Sequence, residues 1–231
     1  MAAYMIQHPI FKGYVSESKI RYFLHKLEAD DNYIVLHDII LPTKDGKTEQ
    51  IDHIVLSVYG IFVIESISDK GFFYGDEKKK YWTRVIFNKK VRFLSPIFQN
   101  YRNISSIEHL IGCKPFISIV AYNTNAKLRD IQVTKDFLHL AQDRRILKVI
   151  EQYQEEVIPQ EELVRMENIL LKNMISNKGI KKEQVKRRRL ESNESALHVS
   201  REVCPVCGRQ GKKGSSFVCS NQGSCLYAEK I

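Results

Sequence analysis

The stretch QIDHIVLSVYGIFVIES, residues 50–66, decides the architecture. Two strongly apolar, β-branched runs, Ile51 to Ser57 and Ile61 to Ser66, are separated only by Val58, Tyr59 and Gly60, a short glycine-containing connection of the hairpin kind. If the chain turns through Tyr59, antiparallel pairing sets Asp52 beside Glu65, and the two-residue strand period sends both side chains to one face. Two acids then meet at the open end of the hairpin, in strands otherwise built of Ile, Val, Leu and Phe, where a lone carboxylate is costly. A hard divalent cation would satisfy both, and magnesium asks for only one or two protein carboxylates, with water and substrate phosphate completing the shell. The residues alone leave a second arrangement open, in which Asp52 pairs with His53 or a nearby lysine and Glu65 merely ends a strand.

Working outward, apolar positions Ile20, Phe23, Leu24 and Leu27 recur at helical spacing and predict an amphipathic helix over Ser16 to Leu27. Tyr33 to Leu41 reads as a strand, closed by Pro42 and the turn formers Asp45 and Gly46. Gly71 to Gly75 reads as a turn, and Tyr81 to Phe87 as a strand carrying the one tryptophan, Trp82. Pro96 opens a helix running to about Leu110, and Phe116 to Tyr122 is a buried strand. Short strands are expected at Ile131 to Val133 and at Ile146 to Val149, the second of which could equally be helical. Pro159 starts a last helix, with Leu163, Met166, Ile169, Leu170 and Ile175 on its apolar stripe. Cys113, alone in an apolar stretch, is expected to be a small buried hydrophobe.

A chain of 231 residues with 43% hydrophobic content supports one core of about 150 residues and a small satellite. The division expected is a main domain over 1–178, whose motif core is 12–112, a basic linker over 179–202, and a cysteine-rich end over 203–231. No run approaches the roughly 20 apolar residues of a membrane helix, and the first ten residues lack a secretory pattern. Soluble, cytoplasmic residence without a membrane partner is the expectation. The net charge of +9, concentrated around Lys78 to Lys90 and Lys178 to Arg189, favours polyanionic partners, although a solvated face or linker also uses such runs.

Cys204-Pro-Val-Cys207 and Cys219-Ser-Asn-Gln-Gly-Ser-Cys225 supply two thiolate pairs separated by eleven residues. Four soft ligands close a zinc tetrahedron and leave no place for a catalytic water, so the Zn²⁺ is expected to be structural and to drive folding of the tail. This tail resembles the C-terminal zinc ribbons of bacterial type IA topoisomerases in its Cys-Ser-Asn-x-x-x-Cys half. The resemblance implies binding of single-stranded DNA, which Phe217 and Tyr227 could support by stacking and Arg209, Lys212 and Lys213 by phosphate contact. A protein-docking knob or stabilising cap is the other use of so small a fold.

Gln50-Ile-Asp52-His53-Ile-Val, Gly60-Ile-Phe-Val-Ile-Glu65, Lys70-Gly71, Gly75, Trp82 and Pro96-Ile-Phe-Gln99, in that order, resemble the nuclease-related domain, NERD, over roughly Lys12 to Leu110. That domain is similar to the PD-(D/E)xK nucleases. The fold class implied is α/β, a restriction-endonuclease-type mixed sheet flanked by helices, here with the small zinc ribbon appended. By the same resemblance Asp52, Glu65 and the backbone carbonyl of Ser66 are ligands of Mg²⁺ or Mn²⁺, Glu17 supports the site from the first helix, and Gln99 approaches from a later one.

The family's lysine, two residues after the glutamate, is replaced here by Ile67, and its loss removes charge stabilisation of about 2 to 4 kcal/mol. Lys70 is the nearest substitute, with Lys89 and Lys90 farther along the chain. Ser16 stands where the family has glycine. Three functions therefore compete. One is a metal-dependent DNA endonuclease whose ribbon holds the strand. The second is a catalytically degenerate module that binds DNA or a partner helicase or nuclease, and the third a scaffold that touches no nucleic acid.

Overall fold

The computed structural model describes residues 18–87 and 89–175, together with the backbone of three short strands near the C-terminus. Residues 18–24 are helical (α1) and run into a 3-10 turn, His25–Ala29. Three long strands follow, β1 (Tyr33–Pro42), β2 (Thr48–Ser57) and β3 (Gly60–Ile67). A shorter trio, β4 (Gly71–Tyr74), β5 (Tyr81–Ile86) and β6 (Lys89–Leu94), leads to α2 (Pro96–Ile111). The chain continues with β7 (Phe116–Tyr122), β8 (Ala126–Arg129), β9 (Leu138–Gln142), α3 (Arg145–Glu151) and α4 (Gln160–Asn173).

These strands form two mixed sheets, β1-β2-β3-β7-β9 and β6-β5-β4-β8. In the first, β1, β2 and β3 pair antiparallel while β3, β7 and β9 run parallel. The hairpin turns as its sequence requires: Ser57 faces Gly60 and the register continues to His53 opposite Ile64. Gly60 has φ +135°, and a Cβ there would come within 2.6 Å of Ile117 Cδ1, so only glycine fits between the turn and β7.

Helices cover the first sheet on both sides, which is why β3 and β7 read as unbroken apolar runs instead of alternating ones. Ile54, Leu56, Ile61, Val63 and Ile67 face one core, filled by Ile97, Ile104 and Ile107 of α2 and Leu163, Met166 and Leu170 of α4. Val55, Phe62, Ile64, Ile117 and Ile119 face a second core, closed by Ile20 and Leu24 of α1 and Ile146 and Ile150 of α3. The smaller sheet joins the first core through Phe73 and Trp82, both almost wholly buried. Gly75 lies flat against that indole, where a Cβ would sit 2.2 Å from Trp82 Cδ1, and the indole N–H donates to the Asp76 carbonyl at 3.1 Å.

Several elements depart from the expectations. Gly71 to Gly75 is not a turn: β4 occupies it, because Phe73 buries inward while Phe72 and Tyr74 alternate outward with the strand period. Residues 131–133 are not a strand, and their place in the sheets is taken by β8 and β9, which lack long apolar runs. Residues 146–149 are helical, within α3. Cys113 is exposed, not buried, since Gly112 ends α2 with φ +79° and turns the chain outward.

Near the C-terminus, Gly211–Lys213, Ser216–Cys219 and Ala228–Lys230 form a three-stranded antiparallel sheet, with Lys213 opposite Phe217 and Gly211 opposite Cys219. Cys204, Cys207, Cys225, Arg209 and Tyr227, like the 179–202 linker, lie outside the described residues. Among the described residues no helix is long and apolar enough to cross a membrane.

Candidate active site

The antiparallel register, carried one step beyond His53 and Ile64, sets Asp52 opposite Glu65. Ile54, two positions after Asp52, and Val63, two positions before Glu65, pair with each other and face the α2 core, so the strand period directs the two acids toward that side. They are 7% and 8% exposed. Each carboxylate is oriented by an N–H donor: Ser66 N donates to Asp52 Oδ2 at 2.8 Å, and the Asn103 amide of α2 donates to Glu65 Oε2 at 3.1 Å. Asp52 thus takes a main-chain donor where the β2–β3 ladder ends, which offsets part of the desolvation that burial imposes on it.

A third acid comes to the same face. Glu49, 2% exposed, accepts from Gln99 Nε2 at 3.0 Å and is ion-paired with Arg102, both on α2. A strict two-residue period would place Glu49 opposite to Asp52. That period breaks at the step where Asp38 faces Asp52: the ladder pairs His37 with His53 and Ile39 with Ile51, and Asp38 takes φ +56°. Across this step Leu36 and Ile39 on β1, and Ile54 and Ile51 on β2, all face the α2 core. The kink therefore rotates the start of β2 by one face and brings Glu49 round to the helix.

Helix α2 presents an amide stripe toward the acids. Gln99 Nε2 also reaches Asn103 Oδ1 at 3.3 Å, linking Glu49 to Glu65 through two side chains one helical turn apart. Asn100, wholly buried, fixes the helix over the sheet, with Nδ2 2.6 Å from the Val63 carbonyl on β3 and 2.8 Å from Ser118 Oγ on β7.

On the opposite face of β2, beside Asp52 in sequence, His53 Nδ1 lies 2.8 Å from His37 Nδ1, with the rings edge to face. One imidazole donates and the other accepts, so at most one of the two rings can carry a proton on both nitrogens. Burial, reinforced by the proximity of His37 and Arg21, pushes the His53 pKa down to about 3, and burial likewise lowers that of His37.

Of the residues singled out from the sequence, Asp52, Glu65 and Ser66 are together, and Gln99 joins them through Glu49 and Asn103. Ser66 contributes its N–H to Asp52. Ile67, which stands where the resemblance implies a lysine, is 6% exposed and packed in the α2 core on the same face as Glu65. Lys70 is exposed in the link just before β4, while Lys89 and Lys90 are exposed on β6 of the other sheet. Glu17 lies outside the described residues. Glu49, Arg102 and Asn103 went unread in the sequence, although Gln99, Asn100 and Asn103 are a visible polar stripe within an otherwise apolar helix.

Among the described residues no three His, Cys, Asp or Glu side chains gather closely enough to make a full protein cage for a metal. Two buried carboxylates in adjacent register do fit an ion that draws most of its shell from water and phosphate.

Comparison with known proteins agrees with this geometry. Residues 12–123 match the nuclease-related domain family, a span that contains every residue of the acid cluster described above. An uncharacterized protein of Bacillus anthracis is 36% identical over 179 residues, covering 77% of this chain and 84% of that protein. No solved structure matches the chain. The sequence match, the paired acids and the two mixed sheets flanked by helices converge: the chain carries a nuclease-related domain over residues 12–123.

Proposed function

We propose that the protein is a metal-dependent phosphodiesterase acting on nucleic acid, DNA above all, with Asp52 and Glu65 as the side chains that hold Mg²⁺ or Mn²⁺. The observation that carries this reading is the buried pair of acids on one face of β2 and β3, each held by an N–H donor from a neighbouring element. When bound, the ion supplies Lewis-acid chemistry, neutralising charge on the scissile phosphate and acidifying a water. Asn103 keeps Glu65 pointed at the ion's place, and Ser66 N–H does the same for Asp52. Gln99 and Arg102 hold Glu49 on this face, and Arg102 brings a cation beside a site that lacks the motif lysine. The Ser66 carbonyl and Glu17 complete the ligand and support set that the family pattern suggests, and Lys70 is the nearest lysine along the chain.

The four C-terminal cysteines, Cys204, Cys207, Cys219 and Cys225, are proposed to bind one structural Zn²⁺, which requires the reducing cytoplasm. The resulting ribbon would add a nucleic-acid contact through Arg209, Lys212, Lys213, Phe217 and Tyr227.

The test is cleavage of single- and double-stranded DNA and RNA by the full-length protein with Mg²⁺ or Mn²⁺, against Asp52→Ala. Activity that persists unchanged in Asp52→Ala would remove the acid pair from the mechanism. Elemental analysis of the purified protein should find one zinc per chain.

A second reading rests on Ile67, an aliphatic side chain buried where the family's lysine belongs. On this reading the site is catalytically silent and the protein binds DNA, or a partner helicase or nuclease, without turnover. Ile67→Lys separates the two. Cleavage gained only in that variant marks a silenced site, whereas equal cleavage in both proteins shows that another cation serves.

A further inference from the structure

The smaller sheet has a face that the acid site does not use. Register divides its residues cleanly. Phe73, Trp82, Phe93 and Leu128 face inward, while the positions that alternate with them face out. The outward aromatics are Phe72 and Tyr74 on β4, each 42% exposed, and Tyr81 on β5. The outward cations are Lys90 and Arg92 on β6 and Lys127 and Arg129 on β8, all exposed, so the aromatics are flanked by positive charge on both edges. The four strands contain no aspartate or glutamate at any position. Of the acids nearby, Asp69 pairs with Arg84, whose register faces inward, Glu77 is buried against the backbone N–H and hydroxyl of Thr134, and Asp130 follows Arg129, exposed, just beyond the end of β8.

We propose that this outer face binds a single strand of nucleic acid, its bases stacking on Phe72, Tyr74 and Tyr81 and its phosphates meeting the flanking arginines and lysines. Phe72 and Tyr74 stand about 7 Å apart along one strand face, so each can receive a separate base. A four-stranded sheet whose exposed aromatics take two or three unstacked bases is an established way of holding single strands, and base–aromatic stacking is tolerant of sequence. The guanidinium of Arg129 lies 5.2 Å from the Phe72 ring centroid and that of Arg92 lies 4.7 Å from that of Tyr81. Cations already seated at the rings keep the aromatic and phosphate-binding groups in one surface. A duplex hides its base faces and can use only the charges, and an acidic protein would leave the rings without a matching π surface. The choice of nucleic acid as ligand rests on the phosphodiesterase reading above, but the surface stands on its own residues.

The experiment is a fluorescence-anisotropy titration of the full-length protein with labelled single-stranded DNA and RNA and a matched duplex, at low salt with EDTA present. Phe72→Ala/Tyr74→Ala should weaken single-strand binding by about tenfold or more and leave duplex binding little changed. Lys90→Gln/Arg92→Gln/Lys127→Gln/Arg129→Gln should weaken both and flatten the salt dependence. Bromouracil-substituted single strands, irradiated with the unmutated protein, should crosslink to β4 or β5. Unchanged single-strand affinity in both variants, or crosslinks confined to residues outside this sheet, would overturn the proposal. Because no divalent ion is present, binding at this face without later cleavage sinks the enzyme and keeps the surface. Cleavage by a protein whose affinity ignores both variants does the reverse.

Discussion

The two sheets are built from one stretch of chain and treat charge in opposite ways. The five-stranded sheet is covered on both faces, and the acids on its α2 side are held by amide and main-chain donors, with Arg102 bound to Glu49. Among the described residues the four-stranded sheet is covered on one face only, and its other face is aromatic and basic, with no acid in any of its strands. Orienting Asp52 and Glu65 with N–H groups holds the geometry that the proposed ion would need. Collecting cations on an open face leaves them hydrated and able to exchange counterions for phosphates. The comparison teaches that a fold can keep a cluster of acids and a field of cations from neutralising one another by giving each its own sheet, which is what the proposed metal and nucleic-acid sites would need.

The largest effect expected from breaking this division is at the acids. Glu65→Ala should lower the cleavage rate on the order of a thousand-fold, as loss of a principal transition-state stabiliser does, with rates measured at saturating Mn²⁺. Next, the two faces of the smaller sheet should differ sharply in stability. Trp82→Ala should cost about 3 to 5 kcal/mol in urea unfolding, whereas Phe72→Ala, on the open face, should stay within about 0.5 kcal/mol. Equal losses would mean that the outer face is not free of packing. A smaller effect should follow pH. The His53 pKa is depressed in the fold, so the unfolded chain binds the extra proton between about pH 6.5 and pH 3. Its contribution to stability is complete above about pH 6.5 and falls by about 1 kcal/mol per unit as the pH drops toward 3. Melting curves in EDTA should show this slope, and His53→Phe should flatten it. The smallest effect is at Lys127→Gln, which should leave the unfolding midpoint unchanged while weakening oligonucleotide binding.

Much of the first sheet was legible because its strands are long, apolar and bounded by turn formers. Residues 50–66 fixed the hairpin and its register up to His53 opposite Ile64, one step short of Asp52 and Glu65, since a short connection leaves few alternatives. The smaller sheet was largely unreadable: β4 is four residues between two glycines, and β6 and β8 are basic and half exposed, so neither carries an apolar period. Glu49 was hidden for a different reason. Its facing depends on a kink at Asp38, a residue on another strand, and no count along β2 reveals it. The amide stripe on α2 was visible, but its partners were fixed only once the helix had been laid across β3 and β7.

One detail of the connections has a mechanical meaning. β3 passes into β4 through residues 68–70, and β7 into β8 through residues 123–125, links of equal length that run side by side between two parallel pairs. They are tied to each other, with Gly71 N–H donating to the Asn125 carbonyl at 3.1 Å and Asn123 Nδ2 to the Ser68 carbonyl at 3.4 Å. Two matched, cross-braced bars carry the parallel step of β3 and β7 into β4 and β8, and the core shared through Phe73 and Trp82 seats the smaller sheet against the first, so sliding it sideways would shear a ladder. An insertion of one residue in either bar alone would throw β4 and β8 out of step, so tolerance of length change here should come only in matched pairs.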